Sequence, residues 1–141
     1  MIFIKRKFKI VFSILIALCA VLCLAMSISA ASANAAKPYY SETQSVTLSL
    51  TFSSEGAACY GNILGKPGTT TIDKCTFTLK DSKGTTVKTW SDLSSTGATL
   101  IFSKTASAVT QGEIYSLSVT ATVHRNGNSE KVSDSITVKY N

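Results

Sequence analysis

After residue 44, apolar and hydroxyl side chains alternate along the chain with a period of two, which is the pattern of β-strands that bury one face. The first such run places its apolar side chains at Val46, Leu48, Leu50 and Phe52. The longest run places them at Tyr115, Leu117, Val119, Ala121 and Val123. Helical periodicity does not occur in the sequence after Met26, so the pattern predicts strands for the greater part of the chain.

Turn-forming residues divide this region into seven short predicted strands. The turns and loops fall at residues 54–56, 65–68, 81–84, 91–97 and 126–127. Asn126-Gly127 is a strong signal, because this pair favours the two-residue turn of a β-hairpin. Strands that are apolar on one face and hydroxylated on the other predict two antiparallel sheets packed face to face. We therefore expect an all-β antiparallel sandwich over residues 45–141, after a flexible lead-in at residues 36–44.

The N-terminus has a different composition. Residues 5–9 are mostly basic, residues 10–26 are almost all apolar, and residues 27–36 are mostly small. That order is typical of a secretory signal peptide, whose apolar run enters the membrane as a helix. Small residues precede the cleavage site, so we expect a signal peptide over residues 1–35 with cleavage after Ala35, and cleavage after Ala33 as a close second.

An uncleaved membrane anchor is the alternative. The apolar run has 17 residues, at the lower edge of the ~17–25 that span a bilayer, and Ser13 interrupts it. Lipid attachment needs a small residue before a cysteine, whereas leucines precede Cys19 and Cys23. The expected location is therefore extracellular, with membrane contact only through the signal segment before its cleavage, or membrane-anchored if that segment is retained.

The charge of the chain is concentrated in the predicted signal. The sequence has 14 basic and 8 acidic residues, a net charge of +6, but four of the basic residues lie in the first nine positions. The remaining 10 basic and 8 acidic residues give the predicted mature domain a net charge of only +2. We expect no nucleic-acid partner, because nucleic-acid binding favours a strongly basic domain.

Two cysteines remain after the predicted signal, Cys59 and Cys75. An even number of cysteines in an exported protein favours a disulfide, which for a loop of about fifteen residues stabilises by ~3 kcal/mol. Two buried free thiols are the alternative. A zinc site is disfavoured because the chain has a single histidine, His124, and no Cys-x-x-Cys pair, and no metal or other cofactor is expected.

The sequence offers few candidates for catalysis. His124 has Glu130 and Asp134 as its nearest carboxylates in the following strand. Catalysis would need a nucleophile and an orienting carboxylate that converge on it, and we expect His124 to be an exposed residue of the hairpin instead. The dense serines and threonines are typical of a soluble sheet surface, although ice or carbohydrate binding is an alternative. Tyr60 and Trp90 are candidate exposed aromatic contacts. We expect a protein that is not an enzyme, with no catalytic residue.

Three stretches carry a resemblance to a known group of proteins. Residues 75–92 form a predicted hairpin that includes Val87-Lys88-Thr89-Trp90, residues 98–105 contain Ser103-Lys104-Thr105, and residues 110–117 place Gly112 shortly before Tyr115. These stretches resemble small exported proteins of low-GC Gram-positive bacteria that have an immunoglobulin-like or fibronectin-type-III-like β-sandwich. The resemblance implies a seven-stranded immunoglobulin-like sandwich preceded by a signal-peptide helix, and it implies no particular activity.

The resemblance also implies structural roles. Tyr115 corresponds to the tyrosine corner of such sandwiches, whose phenol group bonds to upstream backbone. Leu117 stands where the immunoglobulin pattern has a cysteine, so a bond between Cys59 and Cys75 would instead join the second and third strands, which lie in opposite sheets. Trp90 lies on the fourth strand, whereas the immunoglobulin pattern has its core tryptophan on the third.

The function that these features predict is recognition. A stable sandwich with variable end loops is a common binding architecture, and the candidate loops are residues 65–71 and 125–130. We expect a secreted, non-enzymatic binding protein of the cell surface or the medium, whose partner is a protein or glycan of the cell envelope. The alternative is a bacteriocin-like secreted toxin or an enzyme inhibitor.

Overall fold

The computed structural model describes residues 38–141. The predicted signal peptide and the first residues of the lead-in therefore lie outside the described residues. Residues 38–141 contain seven β-strands and no helix. The strands are β1 (Thr43–Ser53), β2 (Gly56–Gly65), β3 (Thr69–Asp81), β4 (Thr86–Thr96), β5 (Thr99–Ala106), β6 (Ile114–Arg125) and β7 (Asn128–Lys139).

The strands form two sheets, one of three strands in the order β1-β2-β5 and one of four in the order β4-β3-β6-β7. Every neighbouring pair is antiparallel. The prediction of seven antiparallel strands in two sheets is thus confirmed, as is the placement of the second and third strands in different sheets. Among residues 38–141 no helix is long and apolar enough to cross a membrane.

The core lies between the two sheets and is centred on aromatic side chains. Phe77 of β3 stacks on Phe102 of β5, with 4.0 Å between ring centroids, and the edge of Trp90 meets the same Phe102 ring at 5.1 Å. Gly61 of β2 leaves room for this stack, because a Cβ atom at that position would lie 2.2 Å from a ring carbon of Phe77. A glycine inside a strand therefore has a packing reason here.

Strand β4 differs from the sequence prediction. Residues 91–97 were predicted to form a polar loop, but β4 continues to Thr96, so that prediction is wrong. Asp92 has a left-handed φ of 58°, and the register changes from Trp90 opposite Phe77 to Leu93 opposite Cys75. This β-bulge places Trp90 and Leu93, which are three positions apart, on the same face of β4. The period of two that indicates a strand in the sequence is therefore interrupted here.

The edge strands of the two sheets carry lysines on their inner faces. Lys88 of β4 lies opposite Leu79, and Lys104 of β5 lies opposite Cys59. Both partners are fully buried, while both lysines are exposed. An inward-facing charge on an edge strand opposes the addition of a further strand, so these lysines protect the side of the sandwich between β4 and β5.

Two tyrosines fasten the other side, between β1 and β7. The Tyr40 hydroxyl donates to the Ser133 carbonyl and accepts from the Ser133 N–H, the latter at 3.0 Å. The Tyr140 hydroxyl donates to the Ser53 carbonyl at 3.0 Å. The Tyr40 hydroxyl thus satisfies the backbone N–H and C=O groups of Ser133 at the free edge of β7. A further β-strand can therefore not form hydrogen bonds with β7 at this position.

Candidate functional site

Three segments meet at one end of the sandwich. They are the lead-in at residues 39–43, the β2–β3 connection at residues 65–71 and the β6–β7 hairpin at residues 124–130, and we refer to them together as the loop end. The hairpin turns at Asn126 and Gly127, which both have positive φ, 50° and 78°, as a type I′ turn requires. The two candidate recognition loops of the sequence analysis are therefore neighbours in the fold.

Glu130 holds the lead-in through its carboxylate. It accepts hydrogen bonds from the N–H groups of Ser41 at 2.7 Å, Glu42 at 3.0 Å and Thr43 at 2.9 Å, and from the Ser41 hydroxyl at 3.0 Å. Burial pushes the pKa of Glu130 upward, but these hydrogen bonds outweigh it and leave the pKa lowered. The predicted lead-in spans residues 36–44, and residues 41–43 of it are hydrogen-bonded to this carboxylate.

Two basic residues complete the loop end. Arg125 donates from Nε to the Pro67 carbonyl at 2.7 Å and from Nη1 to the Glu42 carboxylate at 2.9 Å. The Lys66 ammonium donates to the Ser41 carbonyl at 2.6 Å. Each residue joins the lead-in or the hairpin to the β2–β3 connection, so the three segments form one hydrogen-bonded unit.

A cleft of about 370 Å³ opens beside this unit. Pro38, Tyr39 and Tyr40 contribute to its wall, and Lys66 and Asp134 to its lining. The Tyr39 ring is 94% exposed and lies 5.9 Å from the Lys66 ammonium, within range of a cation–π interaction. The cleft therefore offers an aromatic surface beside one positive and one negative side chain.

His124 contacts an acidic residue that the sequence analysis did not select. Its Nε2 atom lies 3.1 Å from a carboxylate oxygen of Asp73 on β3. The two groups are close, but they form no hydrogen bond in this geometry. Glu130 instead binds the lead-in, and Asp134 lies opposite the buried Val119. Among residues 38–141 no three metal-ligating side chains of the His, Cys, Asp and Glu types gather at one place.

The two cysteines are buried free thiols in the structure. Burial raises the pKa of both Cys59 and Cys75 to about 11. Because the thiolate is the reactive form, both thiols are poor nucleophiles at neutral pH. The disulfide between them stays a prediction.

The remaining residues singled out in the sequence occupy different parts of the fold. The Tyr115 hydroxyl accepts a hydrogen bond from the Thr110 N–H at 2.8 Å. Tyr60 is 38% exposed on β2, and Trp90 is half-buried against Phe102. None of these aromatic side chains lines the cleft at the loop end.

Comparison with known proteins assigns no relationship: no family model matches the chain, and no curated protein is significantly similar to it. The interpretation of the site therefore rests on its geometry.

Proposed function

We propose that this chain is an exported, non-enzymatic binding protein that recognises a protein or glycan of the bacterial cell envelope through its loop end. The observation that carries the proposal is the fixation of three separate segments into one surface beside an open cleft. Binding loses less conformational entropy when the contacting loops are already ordered. The Glu130, Arg125 and Lys66 contacts supply that order before any partner arrives.

The exposed chemistry at this surface supports recognition. Tyr39 presents almost its whole ring to solvent, and tyrosines provide large contact area with few rotatable bonds. Lys66 and Asp134 stand beside it with opposite charge. An aromatic ring flanked by polar groups suits the face of a sugar ring or an interface residue of a protein.

We also propose that the sandwich is immunoglobulin-like and that residues 1–35 are a signal peptide. The division into sheets of three and four strands, with the second and third strands in opposite sheets, supports the first point. The hydrogen bond from upstream backbone to the Tyr115 hydroxyl at the start of β6 supports it further. The order of basic, apolar and small residues at the N-terminus supports the second.

The test begins with export of the full chain by a Gram-positive host. Intact mass of the exported protein is expected to correspond to cleavage after Ala35. The same protein is then mixed with isolated cell envelopes and sedimented, and we expect capture at about micromolar concentration. Loss of export, or the absence of capture at ten times that concentration, overturns the proposal.

Two variants assign the capture to the loop end. Tyr39→Ala removes the exposed ring, and we expect it to weaken capture about fivefold, in the range of an interface aromatic. Tyr60→Ala is the matched control, because Tyr60 is a partly exposed tyrosine on β2 and does not line the cleft. Equal weakening by both variants argues against recognition through the loop end.

A further inference from the structure

The outer face of strands β3, β6 and β7 carries a continuous set of hydroxyl side chains with lysines at its ends. Residues directly opposite each other in antiparallel strands point to the same face, so the register defines this set. We call it the hydroxyl–lysine face. By register its members are Thr76, Thr78 and Lys80 of β3, Ser116, Ser118, Thr120 and Thr122 of β6, and Lys131, Ser133, Ser135, Thr137 and Lys139 of β7. Lys74 of β3 has no register partner, and it belongs to the face because it lines a depression together with Thr120 and Lys131.

The positive charge on this face is not balanced by ion pairs. All four lysines are exposed. Within residues 38–141 the ion pairs are His124–Asp73 and Arg125–Glu42, so none of the four lysines takes part in one.

The acidic residues of the same strands are directed elsewhere, with one exception. On β7, Glu130 and Asp134 lie opposite Val123 and Val119 of β6, which are buried in the core. Both acidic residues are therefore on the opposite side of β7 from the hydroxyl–lysine face. Asp81 lies opposite the buried Tyr115 and accepts hydrogen bonds from the turn that follows it. Asp73 lies opposite the outward Thr122 and contacts His124. The face therefore carries four lysines and a single carboxylate.

A bulge opens a depression in the upper part of this face. Lys74 has a left-handed φ of 49°, and the register between β3 and β6 shifts between Asp73 and Thr76. A depression of about 430 Å³ lies there, and Lys74, Thr120 and Lys131 contribute to its lining. A lysine in the left-handed region is unfavourable by itself, and here it places an ammonium group beside a second lysine and threonine hydroxyls.

We propose that the hydroxyl–lysine face binds a linear polyanion whose phosphates are joined by polyol or sugar units. This inference goes beyond the proposed function, because it gives the exported protein a second binding surface, separate from the loop end. Lysine ammonium groups bind phosphates as point charges. Serine and threonine hydroxyls both donate and accept hydrogen bonds, as the hydroxyls of such a polymer also do.

The dimensions and the apolar content of the face favour a linear polymer over a membrane or a nucleic acid. Lys131 and Lys139 are eight residues apart on one strand, about 27 Å at ~3.4 Å per residue, so the face spans several phosphate repeats. Among the described residues the exposed large apolar side chains are Tyr39, Tyr60, Ile101 and Ile114. Only Ile114 lies on this face, opposite Lys139 at its end. Peripheral membrane binders combine basic residues with apolar anchors, and binders of single-stranded nucleic acids combine basic residues with stacking aromatic rings.

The test is calorimetric titration of the exported protein with poly(glycerol phosphate) at low ionic strength. We expect binding that weakens as salt rises from about 50 mM to about 200 mM, because ion release drives such contacts. Lys74→Gln with Lys131→Gln is expected to weaken binding about tenfold, since it removes both lysines of the depression. Lys83→Gln with Lys104→Gln is the matched control, because it removes the same charge away from the face, and we expect a change within about twofold.

Each other outcome overturns the inference. Absence of binding at about 100 µM polymer refutes it. Provided that the two double variants have the same melting temperature, equal weakening of binding by both of them refutes it as well. Tighter binding to single-stranded DNA, or to vesicles of phosphatidylglycerol in phosphatidylcholine, refutes the polymer as the ligand. Envelope capture that persists without polymer binding overturns this ligand class and leaves the proposed function standing, whereas failure of both overturns both.

Discussion

The contact between Glu130 and the lead-in makes the sharpest prediction. In Glu130→Ala, the N–H groups of Ser41, Glu42 and Thr43 lose the carboxylate that accepts from them. Among residues 38–141 the Glu130 side chain makes no other hydrogen bond or ion pair, so its removal chiefly tests the attachment of the lead-in. We expect the sandwich to remain folded and to be less stable.

The magnitude follows from the burial of each hydrogen bond. The two bonds from Ser41 are exposed, and water replaces them at little cost, whereas those from Glu42 and Thr43 are partly buried. A hydrogen bond to a charged group contributes about 1.5–3 kcal/mol when it is well shielded. With partial exposure, two such bonds amount to about 2 kcal/mol. For a domain of this size, that lowers the melting temperature by roughly 10 °C.

Thermal unfolding followed by circular dichroism measures this effect at pH 7. Glu55→Ala is the control, because Glu55 is exposed in the β1–β2 turn and its replacement removes the same charge. We expect the control to melt within about 2 °C of the parent protein. A Glu130→Ala variant that melts at the parent temperature would refute the conclusion that the carboxylate holds the lead-in.

The same contact predicts a dependence on pH. The folded-state pKa of Glu130 is lowered below its ordinary value, so its contribution is fully present above the unfolded pKa of about 4.3 and is lost as the pH falls through the folded pKa. The difference in melting temperature between the parent protein and Glu130→Gln should therefore shrink as the pH falls from 7 to about 3. A difference that stays constant over this range contradicts the assignment.

Three further predictions concern the core and the thiols. Tyr115→Phe keeps the ring and loses the hydrogen bond to its hydroxyl, so we expect unfolding to become easier by about 1 kcal/mol; an unchanged melting temperature would show that the bond contributes nothing. Gly61→Ala places a methyl group against the Phe77 ring, and overpacking should lower stability by about 1–3 kcal/mol; a stabilised variant would contradict that packing. Cys59 and Cys75, if reduced, should resist alkylation in the folded protein at pH 7 and react quickly once it is unfolded; rapid labelling of the folded protein would contradict their burial, and an intact mass lower by two hydrogen atoms would establish the disulfide.

The sequence by itself determined the local features of this protein. The alternation of apolar and hydroxyl side chains predicted the strands, because side chains on a strand point to opposite faces in turn. Asn126-Gly127 predicted the β6–β7 turn, because that turn needs positive φ at both positions. Both signals depend only on residues close together in the chain.

Only the tertiary structure decided which distant residues meet. Glu130 accepts hydrogen bonds from residues that are 87 to 89 positions away in the chain. Asp73 of β3 contacts His124 of β6, although the sequence does not reveal that these two strands are neighbours or how they are aligned. The bulge at Lys74 shifts the register between β3 and β6, and the bulge at Asp92 shifts the register between β3 and β4. The alternation of apolar and polar residues predicts neither shift. The physical reason is that the sheet neighbours of each strand depend on the packing of the entire core, whereas alternation reports only which face of a strand is buried.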